Sequence, residues 1–221
     1  MPGFHPRPED LPSEFAIFPL PGALLLPRGK LPLNLFEPRY LAMAQDSLAA
    51  GRMFGMIQPD AHTAGSDNGD GLYRVGCLGR LSSFSETDDG RLLITLTGLI
   101  RFAVSAELDL RHGYRRVRGD FRDYIGDLTL DRPPVDIGRE RLLTALRAYF
   151  TRRSVDANWE AIRGLSDDGL VITLSMACPF EPVEKQALLE APTDTDRAET
   201  LLALLQMGAA DPDQPPTRSF S

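Results

Sequence analysis

From Glu14 to about Asp127 the chain alternates short apolar runs with Gly, Pro and Asp, the pattern of a compact, mostly antiparallel β unit. The clearest hairpin is the run SSFSETDDGRLLITL. Its Asp89-Gly90 pair suits a tight turn whose two central residues both take positive φ. Beyond the turn, Leu92, Ile94 and Leu96 fall on one strand face, followed by Ile100, Phe102, Val104, Ala106 and Leu108. One helix interrupts the strands. Glu37 is placed to cap it, Pro38 suits its first turn, and Tyr40, Leu41, Ala44, Ser47 and Leu48 form its apolar stripe before Gly51. The stretch Ala61 to Gly71 has turn composition without a period and is expected to be a mobile loop.

Pro133-Pro134 marks a boundary, after which the period becomes helical. Asp136 is a plausible cap for a helix carrying Leu142, Leu143, Leu146, Tyr149 and Phe150. Ser166 opens another through Leu170, Val171, Leu174 and Cys178; its β-branched residues allow a strand, but the spacing favours helix. Pro182 to Glu190 is a third, and Thr193 with Asp196 makes a capping box for a last helix ending at Gly208. The organisation expected is therefore a tail at 1–12, a β subdomain at 13–128, a helical bundle at 133–208 and a tail at 209–221. The tails are polar and proline-rich and are expected to be disordered.

Charge and composition narrow the functions. The chain has 221 residues, 43% of them hydrophobic, and 31 acidic against 24 basic residues give a net charge of -7. That balance disfavours nucleic acid and anionic membrane as partners. Its longest unbroken apolar run, Leu201 to Leu205, is too short to span a membrane, and MPGFHPRPEDLP has no signal-peptide pattern, so a cytoplasmic location is expected. Cys77 and Cys178 have no metal or disulfide spacing and read as inert core residues.

Catalytic motifs fail in turn. Gly29-Lys30 is followed by Leu31 and preceded at the required position by Leu24, which breaks a phosphate-binding loop. His5, His62 and His112 lie in no triad or zinc motif. The two lysines, Lys30 in a turn and Lys185 on a short exposed helix, read as solvated charges. Asp67, Asn68 and Asp70 do not match a calcium loop because Gly69 sits where a ligand belongs. No cofactor and no metal site are expected. One basic feature remains: if residues 114–124 form a strand, Val117, Phe121 and Ile125 face inward, and Arg116, Arg118, Arg122 and Tyr124 face outward. That face can hold a phosphate backbone, or simply be solvated.

The segment FAIFPLPGALLLPRGKLPLNLFEPRYLAM, ending in Leu35-Phe36-Glu37-Pro38-Arg39-Tyr40, resembles the opening of the N-terminal substrate-recognition domain of the ATP-dependent Lon protease. Gly55-Met56-Ile57, Val75-Gly76, Asp89-Gly90-Arg91 and Gly98-Leu99-Ile100-Arg101-Phe102 follow in the family's order. Lys185 to Leu189 and Asp196-Arg197 resemble its helical half. The resemblance covers about residues 14 to 206 and implies an α+β fold: a PUA-like antiparallel β pseudo-barrel with one inserted helix, then a small helical bundle. It implies a docking surface for unfolded or tagged polypeptide, acting with a separate protease or chaperone. The ATPase and Ser-Lys protease segments of Lon are not in this stretch, so a stand-alone, non-enzymatic form is expected, with no catalytic residue to carry over.

Two roles are open for the FEPRY residues. In the structural one, Phe36 and Tyr40 staple the helix to the barrel, Glu37 caps it, Pro38 starts it, Gly98 is structural, and Arg39 or Arg101 pairs with Glu37. In the other, Phe36, Arg39, Tyr40 and Arg101 line a peptide groove between barrel and bundle. The alternative function is RNA binding through Arg116, Arg118 and Arg122.

Overall fold

One long strand organises the first half of the molecule. The computed structural model describes residues 6–129 and 137–210, and the chain divides into two compact units, Met1–Arg132 and Pro133–Ser221. The first unit contains β1 (Glu14–Pro19), β2 (Lys30–Leu35), helix α1 (Pro38–Ala49), β3 (Met53–Ile57), β4 (Val75–Glu86), β5 (Leu92–Arg111) and β6 (Tyr114–Asp120). The strand order is β2-β5-β4-β3-β1-β6, with β6 pairing again on β5. That last pairing closes a ring. Closure works because β5 changes partners: residues 92–97 pair with β2 and 103–111 with β6, while 92–103 pair with β4. Register shifts at Leu78/Gly79, Leu81/Ser83 and Val104/Ala106 bend the paired strands around the turn.

The ring is mostly antiparallel, as the sequence pattern implies, with one exception: β1 and β3 run parallel. A parallel pair needs a long crossover, and β2 with α1 supplies it. Inside, Ile17, Leu78, Ile100, Phe102 and Val117 are fully buried. The Phe102 ring lies so close to the backbone that a Cβ on Gly55 or Gly76 would come within 2.8 or 2.5 Å of it.

Local chemistry departs from expectation at several points. In the β4–β5 turn only Gly90 takes positive φ, +77°. Its N–H donates to the Thr87 carbonyl (2.9 Å) and the Thr87 N–H to that of Arg91 (3.0 Å), making a three-residue loop with glycine at the left-handed position. The strand expected over 114–124 stops at Asp120, whose Oδ1 accepts the Arg122 N–H (3.0 Å), and the chain continues as a 3₁₀ segment, Arg122–Leu128. That side-chain turn swings Ile125 outward, leaving it 40% exposed instead of inward-facing. Within the expected N-terminal tail, Pro8–Asp10 forms a 3₁₀ turn and Leu11 packs on the barrel core. Residues 1–5 and 211–221, also assigned to tails, lie outside the described residues, as do Pro133, Pro134 and Asp136.

The loop expected to be mobile is tied to the barrel. Ser66 Oγ donates to Glu107 (2.9 Å), Asn68 Nδ2 to the Leu108 carbonyl (3.2 Å), and Arg115 bridges Glu107 and the Asp70 carbonyl (2.6 and 2.8 Å).

The second unit holds α2 (Arg139–Arg153), α3 (Trp159–Gly164), α4 (Asp167–Ala177), α5 (Pro182–Glu190) and α6 (Asp194–Ala210). Ser166 caps α4 through the Gly169 N–H (3.2 Å), and Val171 and Ile172 are helical and buried. Thr193 and Asp196 cap each other's backbone N–H groups at 3.1 Å. The last helix passes Gly208 and runs to Ala210. The short α3 lies where the sequence pattern gives no helix; Asn158 caps it by accepting the Ala161 N–H at 3.0 Å. Lys185 is not the solvated charge expected: it is 7% exposed, with Nζ donating to the Met176 carbonyl at 3.4 Å. Burial lowers its pKa by disfavouring the ammonium form. Its neighbour Cys178 is buried too, which pushes the thiol up to about 12.

Gly98 is held to glycine by a close approach of two chains. A Cβ there would lie 2.0 Å from the Leu26 carbonyl oxygen, while its own N–H and carbonyl bond Gly29 and Arg28 at 2.8 Å. Gly98→Ala is expected to cost about 1–3 kcal/mol by overpacking. Urea unfolding checks this through a lowered midpoint at unchanged slope; an unchanged midpoint would mean that the Leu26 turn yields freely.

Candidate functional site

The start of α1 places the FEPRY residues. Glu37 occupies the N-cap position but makes no side-chain cap. Its carboxylate instead accepts from Arg39, at 2.9 Å from Nε and 2.8 Å from Nη2. An arginine two positions ahead competes successfully with the helix N–H groups, because a charged, forked donor holds a carboxylate more strongly than an amide does. Pro38 sits at the first helical position. Tyr40 is buried, its ring 4.2 Å from that of Phe18, so it does fasten the helix to β1. Phe36 does not: it is 63% exposed, with the Arg91 guanidinium 5.9 Å from its ring.

Arg101 lies elsewhere. It is buried at the middle of β5, its Nε and Nη2 each 2.9 Å from the two oxygens of Asp127, its own N–H 3.0 Å from the same carboxylate. The Tyr124 ring lies 4.9 Å from its guanidinium. Of the four residues expected to line a groove, Phe36 and Arg39 are exposed while Tyr40 and Arg101 are interior. They do not share an open surface.

The basic face is also rearranged. Arg116 and Arg118 remain on one face of β6, and both reach Glu14 across the β1 pairing, at 3.4 and 2.7 Å. Arg122 has left the strand and pairs with Asp120 at 2.5 Å, which holds that carboxyl down at about 2. Three arginines on one face become two local ion-pair groups. His112 has a comparable role: its Nδ1 and the Tyr114 hydroxyl meet Asp46 at 2.9 and 2.7 Å, clamping the β5–β6 turn to α1.

The open surface is an arm whose edge strand runs directly into the FEPRY motif at Phe36. β2, the first half of β5 and the end of β4 pair beyond the ring, and an open cleft of 470 Å³ crosses them. Register sets its faces: Leu33, Ile94 and Phe84 lie side by side on one, Asn34, Leu93 and Ser85 on the other. Phe84 and Leu93 are 54% and 45% exposed. The sequence did carry a signal, since Phe84 and Leu93 flank the hairpin turn, where apolar side chains have little neighbouring chain to cover them. The free edge of the arm is β2, and it carries Pro32 opposite Thr95. A proline offers no N–H, which blunts the edge against further strand pairing and leaves side chains as the means of contact.

A closed mixed barrel bearing an inserted helix and an arm, followed by a separate helical unit, is the architecture of Lon N-terminal domains. The chain belongs to that family: the model for the ATP-dependent protease La (LON) substrate-binding domain matches residues 14–207. The crystal structure of a Lon N-terminal domain protein from Xanthomonas campestris is similar, with a TM-score of 0.58, 23% identity, and 86% of this chain and 98% of that one covered. The N-terminal domain of a Mycobacterium avium complex Lon protease gives 0.58 at 14% identity, covering 90% and 99%. A Lon protease of Desulfosudis oleivorans is 26% identical over 94 residues, which is 42% of this chain and only 12% of that protein. The family defines a substrate-recognition module.

The Glu37–Arg39 pair at the helix start and the Arg101–Asp127 pair on β5 differ in burial, and their energetics should differ accordingly. Glu37 and Arg39 are half exposed, whereas Arg101 and Asp127 are 7% and 4% exposed. Glu37→Ala is expected to cost at most about 1 kcal/mol. Asp127→Ala, which strands a buried guanidinium, should cost about 3–5 kcal/mol. Chemical denaturation of both variants checks the contrast; equal losses would contradict it.

Glu107 provides a pH test. Burial raises its pKa, but hydrogen bonds from Arg115 and Ser66 outweigh this and hold the group below the usual glutamate range. A depressed carboxyl contributes stability above its unfolded value, about 4.3, and loses it as pH falls through the lower folded value. The 61–71 loop should therefore lose amide protection, relative to intrinsic exchange rates, below about pH 4, and Glu107→Gln should remove that step. Protection factors in the loop that do not change across that range would overturn the assignment.

Proposed function

We propose that this chain is a polypeptide-recognition module that grips exposed apolar side chains of unfolded protein on the arm formed by β2, β4 and β5. It works without catalysis or cofactor, as a cytoplasmic adaptor that passes its cargo to a separate protease or chaperone. The observation that carries this reading is the exposure of Phe84 and Leu93 beside an open cleft on a sheet whose free edge is blunted. An apolar surface kept in water on a rigid sheet is a feature of docking sites. Membership in the substrate-binding family supports polypeptide as the ligand class. RNA is disfavoured because Arg116 and Arg118 already face Glu14, and Arg122 faces Asp120.

The test is a set of exposed-surface variants. Phe84→Ser with Leu93→Ser should leave the melting temperature within a few degrees. The pair should weaken binding of a reduced, unfolded model polypeptide by tenfold or more in fluorescence anisotropy, because each large apolar contact is worth about 1.5–3 kcal/mol. Arg116→Glu with Arg118→Glu should leave that binding unchanged. Full affinity in the serine variant, or peptide hydrolysis by the purified chain, would overturn the reading.

A further inference from the structure

The end of the arm carries a charge pattern that its apolar cleft does not explain. Phe84 and Glu86 are two positions apart on β4, so they lie on the same face, about 7 Å apart along the strand. Glu86 is opposite Leu92, and Leu92 is opposite Leu35, so the row beside Phe84, Ile94 and Leu33 is apolar up to its exposed end, where a carboxylate stands. The turn that follows adds Asp88 and Asp89 against the single cation Arg91. That cation is engaged, its Nε 2.8 Å from Asp89. The exposed aromatic is therefore bordered by net negative charge at a fixed spacing.

We infer that the arm selects polypeptide segments in which an arginine or lysine lies two residues from a large apolar side chain. This rests on the reading that the arm binds polypeptide, and adds the class of segment it prefers. In an extended peptide, side chains two apart also share a face and repeat at about 7 Å. An apolar side chain seated on Phe84 then delivers its i+2 or i−2 neighbour to Glu86. A cation there meets an opposite charge, and a carboxylate meets a like one.

The experiment compares two labelled peptides, identical except that one has Leu-Ser-Arg repeats and the other Leu-Ser-Glu repeats, each titrated with the whole chain. The arginine peptide should bind about two- to fivefold more tightly at low salt, the range of a single exposed ion pair, and the gap should close at about 0.5 M salt. Glu86→Lys should reverse the order, with circular dichroism confirming an unchanged fold. Equal affinities in the parent chain, or a preference that survives Glu86→Lys, would overturn this inference. Phe84→Ser separates it from the underlying reading. If that variant loses both peptides while the parent shows no charge preference, the inference fails and the reading stands; if it binds both peptides as the parent does, both fail.

Discussion

The barrel depends on two consecutive side chains at the centre of β5 that point opposite ways. Phe102 enters the ring and lies against the backbone of β3 and β4 at Gly55 and Gly76. Arg101 points to the other face and binds both oxygens of Asp127, drawing the 3₁₀ segment over the strand. Packing on one side and a buried ion pair on the other fix the same stretch of backbone. That is the stretch where β5 exchanges β2 for β6, so the ring's closure and the arm's departure are set at a single place.

Closed ring and open arm are thereby kept apart. The residues of the ring are buried and mutually constrained, while the arm leaves it as three strands with both faces partly open. Rigidity in the ring gives the arm a fixed register, and register is what holds Phe84 and Leu93 on opposite faces. The FEPRY helix is part of the scaffold, since Tyr40 belongs to the packing and the Glu37–Arg39 pair decorates the helix start.

Much of this was legible from period alone. The α1 boundaries, the β4–β5 hairpin, and the caps at Ser166 and Thr193 follow from local spacing and side-chain chemistry, which the tertiary structure did not override. The departures share a physical cause, namely competition among several nearby partners for one group, or burial by a neighbouring helix. Glu37 had an arginine as well as the helix N–H groups to choose from. Asp120 turned the chain away from the strand that alternation at 114–124 suggested. Lys185 looked solvated because its helix is short and polar, yet the neighbouring helix covers its stem. The site was less legible than the fold. Motif residues point to the helix start, whereas the open apolar surface is defined by what fails to cover Phe84 and Leu93, and sequence spacing does not encode an absent neighbour.

The burial of Lys185 has a further effect on how the molecule meets reactive chemistry. Its sequence contains two lysine side chains, and the bundle interior removes one of them from solvent. The other, Lys30, is exposed at the first residue of β2. Amine-directed reagents, and enzymes that modify lysine, therefore find among the lysine side chains one target, and it stands at the root of the arm. A label introduced there would report on the surroundings of the cleft, without an engineered cysteine and without disturbing either core.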